Sequence, residues 1–225
     1  MINIKNVNIN YLDYGNEKGK TIVLLHGWGQ NIEMMNMLGK PFVERYRIIN
    51  IDLPGFGKSE EPKCVWDLND YVEMLDELLK KLKIKKPILI GHSFGGRISI
   101  KYASDHKVEK VVLLGSPFRP SKKEPFRTKV FKFLKKIPLL NKLEKWAKTK
   151  LGSRDYRNAS EVMRGVLVKA INEDLTENAK RIKAPVLIIF GDLDAEVPIS
   201  EAMELEKLIK NAGLVTYPGC THYAY

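Results

Sequence analysis

Short apolar runs without polar alternation recur along the chain and are separated by longer stretches with helical spacing. The clearest runs cover residues 21–26, 87–92 and 185–190. A strand of this kind is buried on both faces, which is typical of parallel sheets covered by helices. Weaker runs with the same character lie at 2–4, 8–12, 47–52, 111–115 and 214–217. The pattern predicts a mostly parallel central sheet.

Helices are predicted between several of these strands. Residues 69–82 place apolar side chains three and four positions apart, and Asp67 or Asn69 would serve as the N-cap. Residues 97–104 and 200–210 are also helix-prone. This alternation of strands and helices predicts the α/β class, with helices flanking the sheet.

One long stretch interrupts the alternation. The residues at 117–184 show no strand pattern, are helix-prone and contain Pro117, Pro120, Pro125 and Pro138. We expect them to form a helical cap or lid inserted over the end of the sheet, where loops on a rigid scaffold carry function. The core would then consist of residues 1–116 and 185–225.

The charge is concentrated in the predicted cap. The chain has 225 residues and a net charge of +11, and residues 119–150 alone contribute +10. The same residues have apolar side chains at helical spacing, so the segment is both basic and amphipathic. Three interpretations stay open: solvated lysines on cap helices, docking of an acidic substrate carrier or protein, and contact with an anionic lipid surface. No nucleic-acid recognition motif accompanies the charge, so we expect no nucleic-acid partner.

Composition and motifs exclude other classes. Cys64 and Cys220 are the two cysteines, which is too few for a disulfide framework, and they form no C-x-x-C pair. We read neither a signal peptide nor an apolar run of the roughly 18 residues that a membrane span needs, and we expect a cytoplasmic protein.

The sequence Gly57-Lys58-Ser59 resembles the end of a phosphate-binding loop, but Asp52 stands where that motif requires glycine.

The sharpest chemical motif is Gly91-His92-Ser93-Phe94-Gly95, which follows a predicted strand and precedes a predicted helix. This context is what a nucleophile elbow requires, because a tight strand-to-helix turn exposes the central serine at the sheet's end. Glycines flanking the turn remove side chains that would collide with neighbouring backbone. The motif predicts Ser93 as a nucleophile.

A serine nucleophile needs a base and an orienting acid. His92 adjoins Ser93, but neighbouring side chains in an elbow diverge, and His26 ends a strand in a glycine-rich turn, so we interpret both as structural. His106 lies among charged residues and is interpreted as a surface residue, whereas His222 lies in a loop after the last strand and is the candidate base. For the acid, the residues leave three candidates in the loop after strand 185–190, namely Asp192, Asp194 and Glu196.

With these motifs in place, the chain resembles the α/β-hydrolase family of esterases, lipases and carbon–carbon hydrolases. The sequence His26-Gly27-Trp28-Gly29 resembles the family's oxyanion loop, and residues 52–59 resemble its D-x-P-G-x-G-x-S turn. The pattern Gly-x-x-Asp-x-x-Val-Pro, which ends at Pro198, is similar to the family's acid loop and selects Asp194. The order Ser93, Asp194, His222 is also the family's order.

The resemblance implies a mechanism without a metal or an organic cofactor. His222 would take the proton of Ser93 as it attacks an acyl carbonyl, and Asp194 would orient the imidazole. The backbone N–H groups of Trp28 and Phe94 would form the oxyanion hole. The implied substrate is a carboxylic ester or thioester. Carbon–carbon hydrolase, perhydrolase and acyltransferase activities use the same triad, and a non-catalytic ligand-binding protein of the same fold is the alternative from another class.

The sequence departs from the family's pattern after His222. Family members usually continue with a further helix beside the sheet, whereas this sequence has three more residues. We therefore expect lower activity or stability than in a chain lengthened by that helix.

Overall fold

The computed structural model describes residues 1–120 and 154–225. The strands are β1 (Ile2–Ile4), β2 (Val7–Ile9), β3 (Tyr11–Gly15), β4 (Lys20–Leu25), β5 (Tyr46–Ile51), β6 (Ile88–His92), β7 (Lys110–Leu114), β8 (Val186–Gly191) and β9 (Ala212–Tyr217). The helices are α1 (Ile32–Gly39), α2 (Leu68–Lys81), α3 (Phe94–Asp105), α4 (Arg154–Asn158), α5 (Glu161–Asn172), α6 (Thr176–Arg181) and α7 (Ile199–Leu208), with a 3-10 turn at Lys40–Phe42.

The main sheet of the described chain has seven strands in the order β3-β5-β4-β6-β7-β8-β9. Strand β3 is antiparallel to β5, and every other pair is parallel. Strand β6 lies at the centre, where Ile90 pairs with Leu24 on one side and Val112 on the other. The α/β class and the mostly parallel sheet predicted from the apolar runs are confirmed.

The N-terminal strands differ from the prediction of one strand at 8–12. A hairpin with positive φ at Lys5 and Asn6 joins β1 to β2, and β3 then begins in the other sheet. Asn10 separates the two strands, because its backbone N–H donates to Ser59 Oγ and its carbonyl accepts from the Asp52 N–H. These bonds to the 52–59 turn have no signature in the local sequence.

Helix α2 has both the cap and the buried face that its sequence predicts. The Asp67 side chain accepts from the Asn69 and Asp70 N–H groups, and Asp70 in turn accepts from the Asp67 N–H, which forms a capping box. Its buried residues are Leu68, Tyr71, Val72, Met74, Leu75, Leu78 and Leu79. This face packs against α3, and full burial of one such leucine contributes about 1.5–3 kcal/mol.

The sheet packs a hydrophobic core on each face. In β4, Val23 and Leu25 join the core beneath α2 and α3, whereas Ile22 and Leu24 join a second core with Met35 of α1. This division follows from the alternation of side chains along a strand. On β8 and β9, the Leu187 and Val215 side chains are exposed within the described structure.

The predicted cap at 117–184 is described only in part. Its described portion contains α4, α5 and α6, and α6 packs against α3 and α7. The division into core and cap stays a prediction, and the basic segment at 119–150 lies outside the described residues from residue 121 onwards. Among the helices that the structure describes, none is long and apolar enough to cross a membrane.

Candidate active site

Ser93 lies in a sharp turn between β6 and α3. Its backbone has φ 48° and ψ −105°, a conformation that costs a residue with a side chain about 1–3 kcal/mol. Two backbone hydrogen bonds hold the turn: the Ser93 N–H donates to Leu114 O at 2.9 Å, and the Gly95 N–H donates to His26 O at 3.1 Å. The predicted elbow is therefore present, with the strained residue at its centre.

The glycines of the elbow are required by close packing. A Cβ atom on Gly91 would lie 2.5 Å from both Gly95 O and Ser99 Oγ, and a Cβ atom on Gly95 would collide with the carbonyl of Leu25. Either side chain would push α3 away from the sheet. The interpretation of the flanking glycines as sites of close backbone approach is confirmed.

Asp194 and His222 form a buried pair. His222 Nδ1 lies 2.8 Å from Asp194 Oδ2, and the side chains are 5% and 0% exposed. Asp194 Oδ1 accepts from the backbone N–H groups of Glu196 and Val197, at 2.9 Å each. Burial opposes ionisation of Asp194, but the hydrogen bonds from His222 and the backbone outweigh it and hold its pKa below the usual value.

The two other acid candidates have different positions. Asp192 is exposed, and its carboxylate accepts from the Gly219 N–H. Glu196 lies on the opposite side of the imidazole from Asp194, with its Oε2 3.5 Å from His222 Nε2. Asp194 is thus the carboxylate on Nδ1, as the acid-loop resemblance implies, while the position of Glu196 had no signal in the sequence.

Ser93 and His222 approach the same end of β7. The Ser93 N–H donates a hydrogen bond to the carbonyl of Leu114, the last residue of β7. A Cβ atom on Gly115, the residue after Leu114, would lie 3.0 Å from His222 Nδ1. The His92 ring lies 4.8 Å from the His222 ring, between centroids. Within the described residues, no hydrogen bond joins Ser93 Oγ to His222.

The histidines interpreted as structural are buried and neutral. Burial lowers the pKa of His26 to about 4 and that of His92 to about 3. His26 Nε2 accepts from the Leu53 N–H, and His92 Nε2 lies 3.2 Å from the carbonyl oxygen of His222. His26 therefore fixes the turn after β5, and His92 contacts the loop that carries His222.

Gln30 has a position in the site that the sequence does not predict. Its Oε1 accepts from the Gly27 N–H at 2.9 Å and lies 3.1 Å from His92 Nδ1. It thus connects the loop that carries Trp28 to the residue before Ser93. A glutamine outside any motif gives no signal of this position.

The N–H groups of Trp28 and Phe94 are free donors within the described structure, where neither has an acceptor. The two rings are in edge contact, 5.4 Å apart, so the residues adjoin. Phe56 completes an aromatic cluster, at 4.9 Å from Trp28 and 6.2 Å from Phe94. Two unused donors beside Ser93 have the chemistry required for stabilising an oxyanion.

A family model described as the alpha/beta hydrolase fold matches residues 20–138, which is more than half of the chain. The chain belongs to the alpha/beta-hydrolase family. A superfamily member of Bacillus subtilis, YisY, is 29% identical, with 92% of this chain and 86% of the relative covered. A pimeloyl-[acyl-carrier protein] methyl ester esterase of Aliivibrio fischeri is 26% identical, with 91% and 87% covered.

Other relatives of this alpha/beta hydrolase have different names. A 2-hydroxy-6-oxononadienedioate/2-hydroxy-6-oxononatrienedioate hydrolase of Paraburkholderia phymatum is 29% identical, with 96% of this chain and 85% of the relative covered. The structure of a bromoperoxidase from Bacillus anthracis superimposes with a TM-score of 0.74 at 28% identity, covering 96% of this chain and 89% of that one. Relatives of comparable similarity thus differ in activity, so similarity alone does not select a substrate.

Proposed function

We propose that the protein is a serine hydrolase that cleaves a carboxylic ester or thioester through an acyl-enzyme. Ser93 is the nucleophile, His222 the general base and Asp194 the orienting acid. The observation that carries the proposal is the buried Asp194–His222 hydrogen bond at the end of β7, where the strained Ser93 is also held. The esterase from Aliivibrio fischeri supports the ester class.

The reaction follows from the positions of the side chains. Ser93 Oγ attacks the acyl carbonyl while its proton moves to His222 Nε2, after rotation of the side chains brings the two atoms together. The Nδ1–H group donates to Asp194, which stabilises the imidazolium. The free N–H groups of Trp28 and Phe94 donate to the oxyanion. The imidazolium protonates the leaving group, and water activated by His222 then releases the acid and regenerates Ser93.

The same residues serve the alternative reactions. Carbon–carbon hydrolysis, perhydrolysis and acyl transfer use an activated serine or its acyl-enzyme with a different bond or acceptor. The named hydrolase from Paraburkholderia phymatum and the bromoperoxidase from Bacillus anthracis keep these alternatives open. A non-catalytic binding protein is the alternative from another class, and the retained base–acid pair argues against it.

Labelling with a fluorophosphonate probe tests the catalytic proposal. We expect wild-type protein to gain one probe adduct by intact mass, and Ser93→Ala to gain none. Ser104→Ala is the matched control, because this serine lies near the end of α3 and bonds the Lys101 carbonyl. Its labelling should match wild type. A folded wild-type protein without an adduct would reject the serine hydrolase mechanism.

Substrate assays then separate the reaction types. A series of p-nitrophenyl esters with acyl chains of increasing length should give a turnover optimum that is lost in Ser93→Ala. Turnover of thioesters tests whether the protein also acts on the second proposed class of substrate. If the labelled protein turns over neither class, then the carbon–carbon, perhydrolase and transferase reactions become the proposals to assay.

The partner of the basic segment stays a proposal of its own. We propose that residues 119–150 attract an acidic carrier or an anionic lipid surface, because they hold +10 of the chain's +11 net charge. Sedimentation with liposomes of neutral or anionic lipid tests the lipid surface. Binding that requires anionic lipid supports the surface, and its absence removes this partner and leaves the acidic carrier and the solvated cap lysines as the remaining interpretations.

A further inference from the structure

His222 lies between two carboxylates. Asp194 bonds its Nδ1, and Glu196 Oε2 lies 3.5 Å from its Nε2. The mechanism proposed above uses Asp194 but gives Glu196 no role. In that mechanism, Nε2 is the atom that protonates the leaving group, so the Glu196 carboxylate lies on the leaving-group side of the site.

The position of Glu196 is fixed by the same bonds that hold the acid. Its backbone N–H donates to Asp194 Oδ1, so the backbone of Glu196 is held beside the Asp194–His222 pair. Its side chain is 66% exposed, which leaves the carboxylate open to an arriving substrate. Within the described residues, its carboxylate contacts His222, and no lysine or arginine forms an ion pair with it.

The segment around Glu196 also carries negative charge. Residues 192–206 contain six acidic residues and no lysine or arginine. Arg119 pairs with Glu204, and Glu206 accepts from the Leu214 N–H. Glu201 is partly buried and lies in the field of Arg119 and Arg97. Among the described residues, the negative field at the open side of His222 therefore comes chiefly from Glu196, with exposed Asp192 on the same loop.

We propose that Glu196 is a specificity-determining residue, whose carboxylate selects esters with a neutral or cationic alcohol group and disfavours those with an anionic one. The inference rests on the proposed function, because it needs the leaving group to meet His222 Nε2. A cationic alcohol group gains Coulomb attraction in the transition state, and an anionic group meets repulsion. Since Glu196 is largely exposed, salt should weaken both effects.

Three esters with one acyl group test this selection. The alcohols are choline, its uncharged carbon isostere and an alcohol of similar size that carries a carboxylate. Acid release in a pH-stat gives kcat/KM for each ester without a chromophore. For the wild-type protein we expect the order cationic, neutral, anionic, with a cationic-to-anionic ratio that falls when salt is added.

The variants separate charge from structure. Glu196→Gln should lower the cationic-to-anionic ratio by roughly tenfold, the size of a Coulomb term at a partly screened site, and Glu196→Lys should invert the preference. Asp192→Asn is the matched control: it removes one charge from the same loop, and its amide oxygen still accepts from Gly219. Its ratio should stay within about twofold of wild type.

Three other results would overturn the inference, and they can be told apart. An equal loss for all three esters in Glu196→Gln would overturn the inference in favour of a structural role. An unchanged ratio in a protein that still labels with fluorophosphonate would overturn the inference alone. A wild-type protein that does not label would overturn the proposed function, and the inference with it.

Discussion

The hydrogen bond between Asp194 and His222 is one of three that the Asp194 carboxylate accepts. Oδ2 contacts the imidazole, and Oδ1 accepts from the backbone at Glu196 and Val197. The same carboxylate thus orients the candidate base and holds the loop after β8. These two roles can be separated, because an amide keeps one acceptor oxygen and loses the charge.

Asp194→Asn tests the role of the charge. The Asn oxygen can keep the bonds to the loop, but its NH₂ group then faces His222 Nδ1 and imposes the wrong tautomer on the imidazole. We expect kcat to fall by about 10³–10⁴-fold, with little change in the melting temperature. Steady-state ester hydrolysis and thermal melts measure the two effects. An activity within tenfold of wild type would contradict the assignment of Asp194 as the acid.

Gly91 tests the packing of the elbow. A methyl group there would lie 2.5 Å from Gly95 O and from Ser99 Oγ, so Gly91→Ala should destabilise the protein by about 1–3 kcal/mol and displace Ser93. Gly213→Ala is the matched control, because a Cβ atom at Gly213 meets nothing within 4 Å. Denaturant unfolding compares the two. Equal stabilities would show that α3 shifts freely away from β6.

The centre of the sheet could be predicted from the sequence because its central strands are buried on both faces. Residues 87–91 and 185–190 have no polar side chain, and these runs form most of β6 and β8, nearly as predicted. The break at Asn10 could not be predicted, since it depends on bonds to Ser59 and Asp52 from a distant turn. The local pattern thus identifies the buried central strands, and long-range polar contacts decide where β2 ends and β3 begins.

In the candidate site, too, local motifs can be predicted from the sequence, and long-range contacts cannot. The elbow around Ser93 is encoded within five consecutive residues, so the sequence alone predicts it. The residues alone leave three neighbouring carboxylates as candidates for the acid, and the resemblance selects Asp194, which the structure places on His222 Nδ1. The positions of Gln30 and Glu196 depend on side-chain directions at loops brought together by the sheet, which no spacing in the sequence encodes.

Gln30 is expected to be a positioning residue for the oxyanion loop. Its Oε1 bonds the Gly27 N–H, beside Trp28, and contacts His92. Gln30→Leu removes this acceptor and frees the loop, so we expect kcat to fall by about 10²-fold, the scale of one misplaced oxyanion donor. KM should change much less, because the donor acts mainly on the transition state.

The control for Gln30 is a nearby polar residue without this contact. Asn31 caps α1 through the Glu33 N–H, and Asn31→Ser keeps a capping oxygen. This variant should retain both kcat and KM. A Gln30→Leu protein that loses activity only through KM would show that the residue contributes to substrate binding and does not position the donor.

The pKa values of His26 and His92 lead us to expect a specific dependence of stability on pH. Burial lowers their folded-state pKa values to about 4 and about 3, whereas an unfolded histidine titrates near pH 6.5. Above about pH 7 both histidines are neutral in either state, so they add no pH dependence. As the pH falls below about 6.5, the unfolded chain binds protons at these sites that the folded chain does not, and the free energy of unfolding decreases.

The two histidines together should give a slope of about 2.5 kcal/mol per pH unit near pH 5, from nearly two protons taken up on unfolding. Urea unfolding at a series of pH values between 7 and 4 measures this slope. His92→Gln, which removes one titrating group, should reduce the uptake at pH 5 by about one proton relative to wild type. The matched control is His106→Gln, a histidine outside the site that stacks on Tyr102. An identical slope in wild type and His92→Gln would show that His92 is protonated in the folded protein, because a charged His92 takes up no further proton on unfolding.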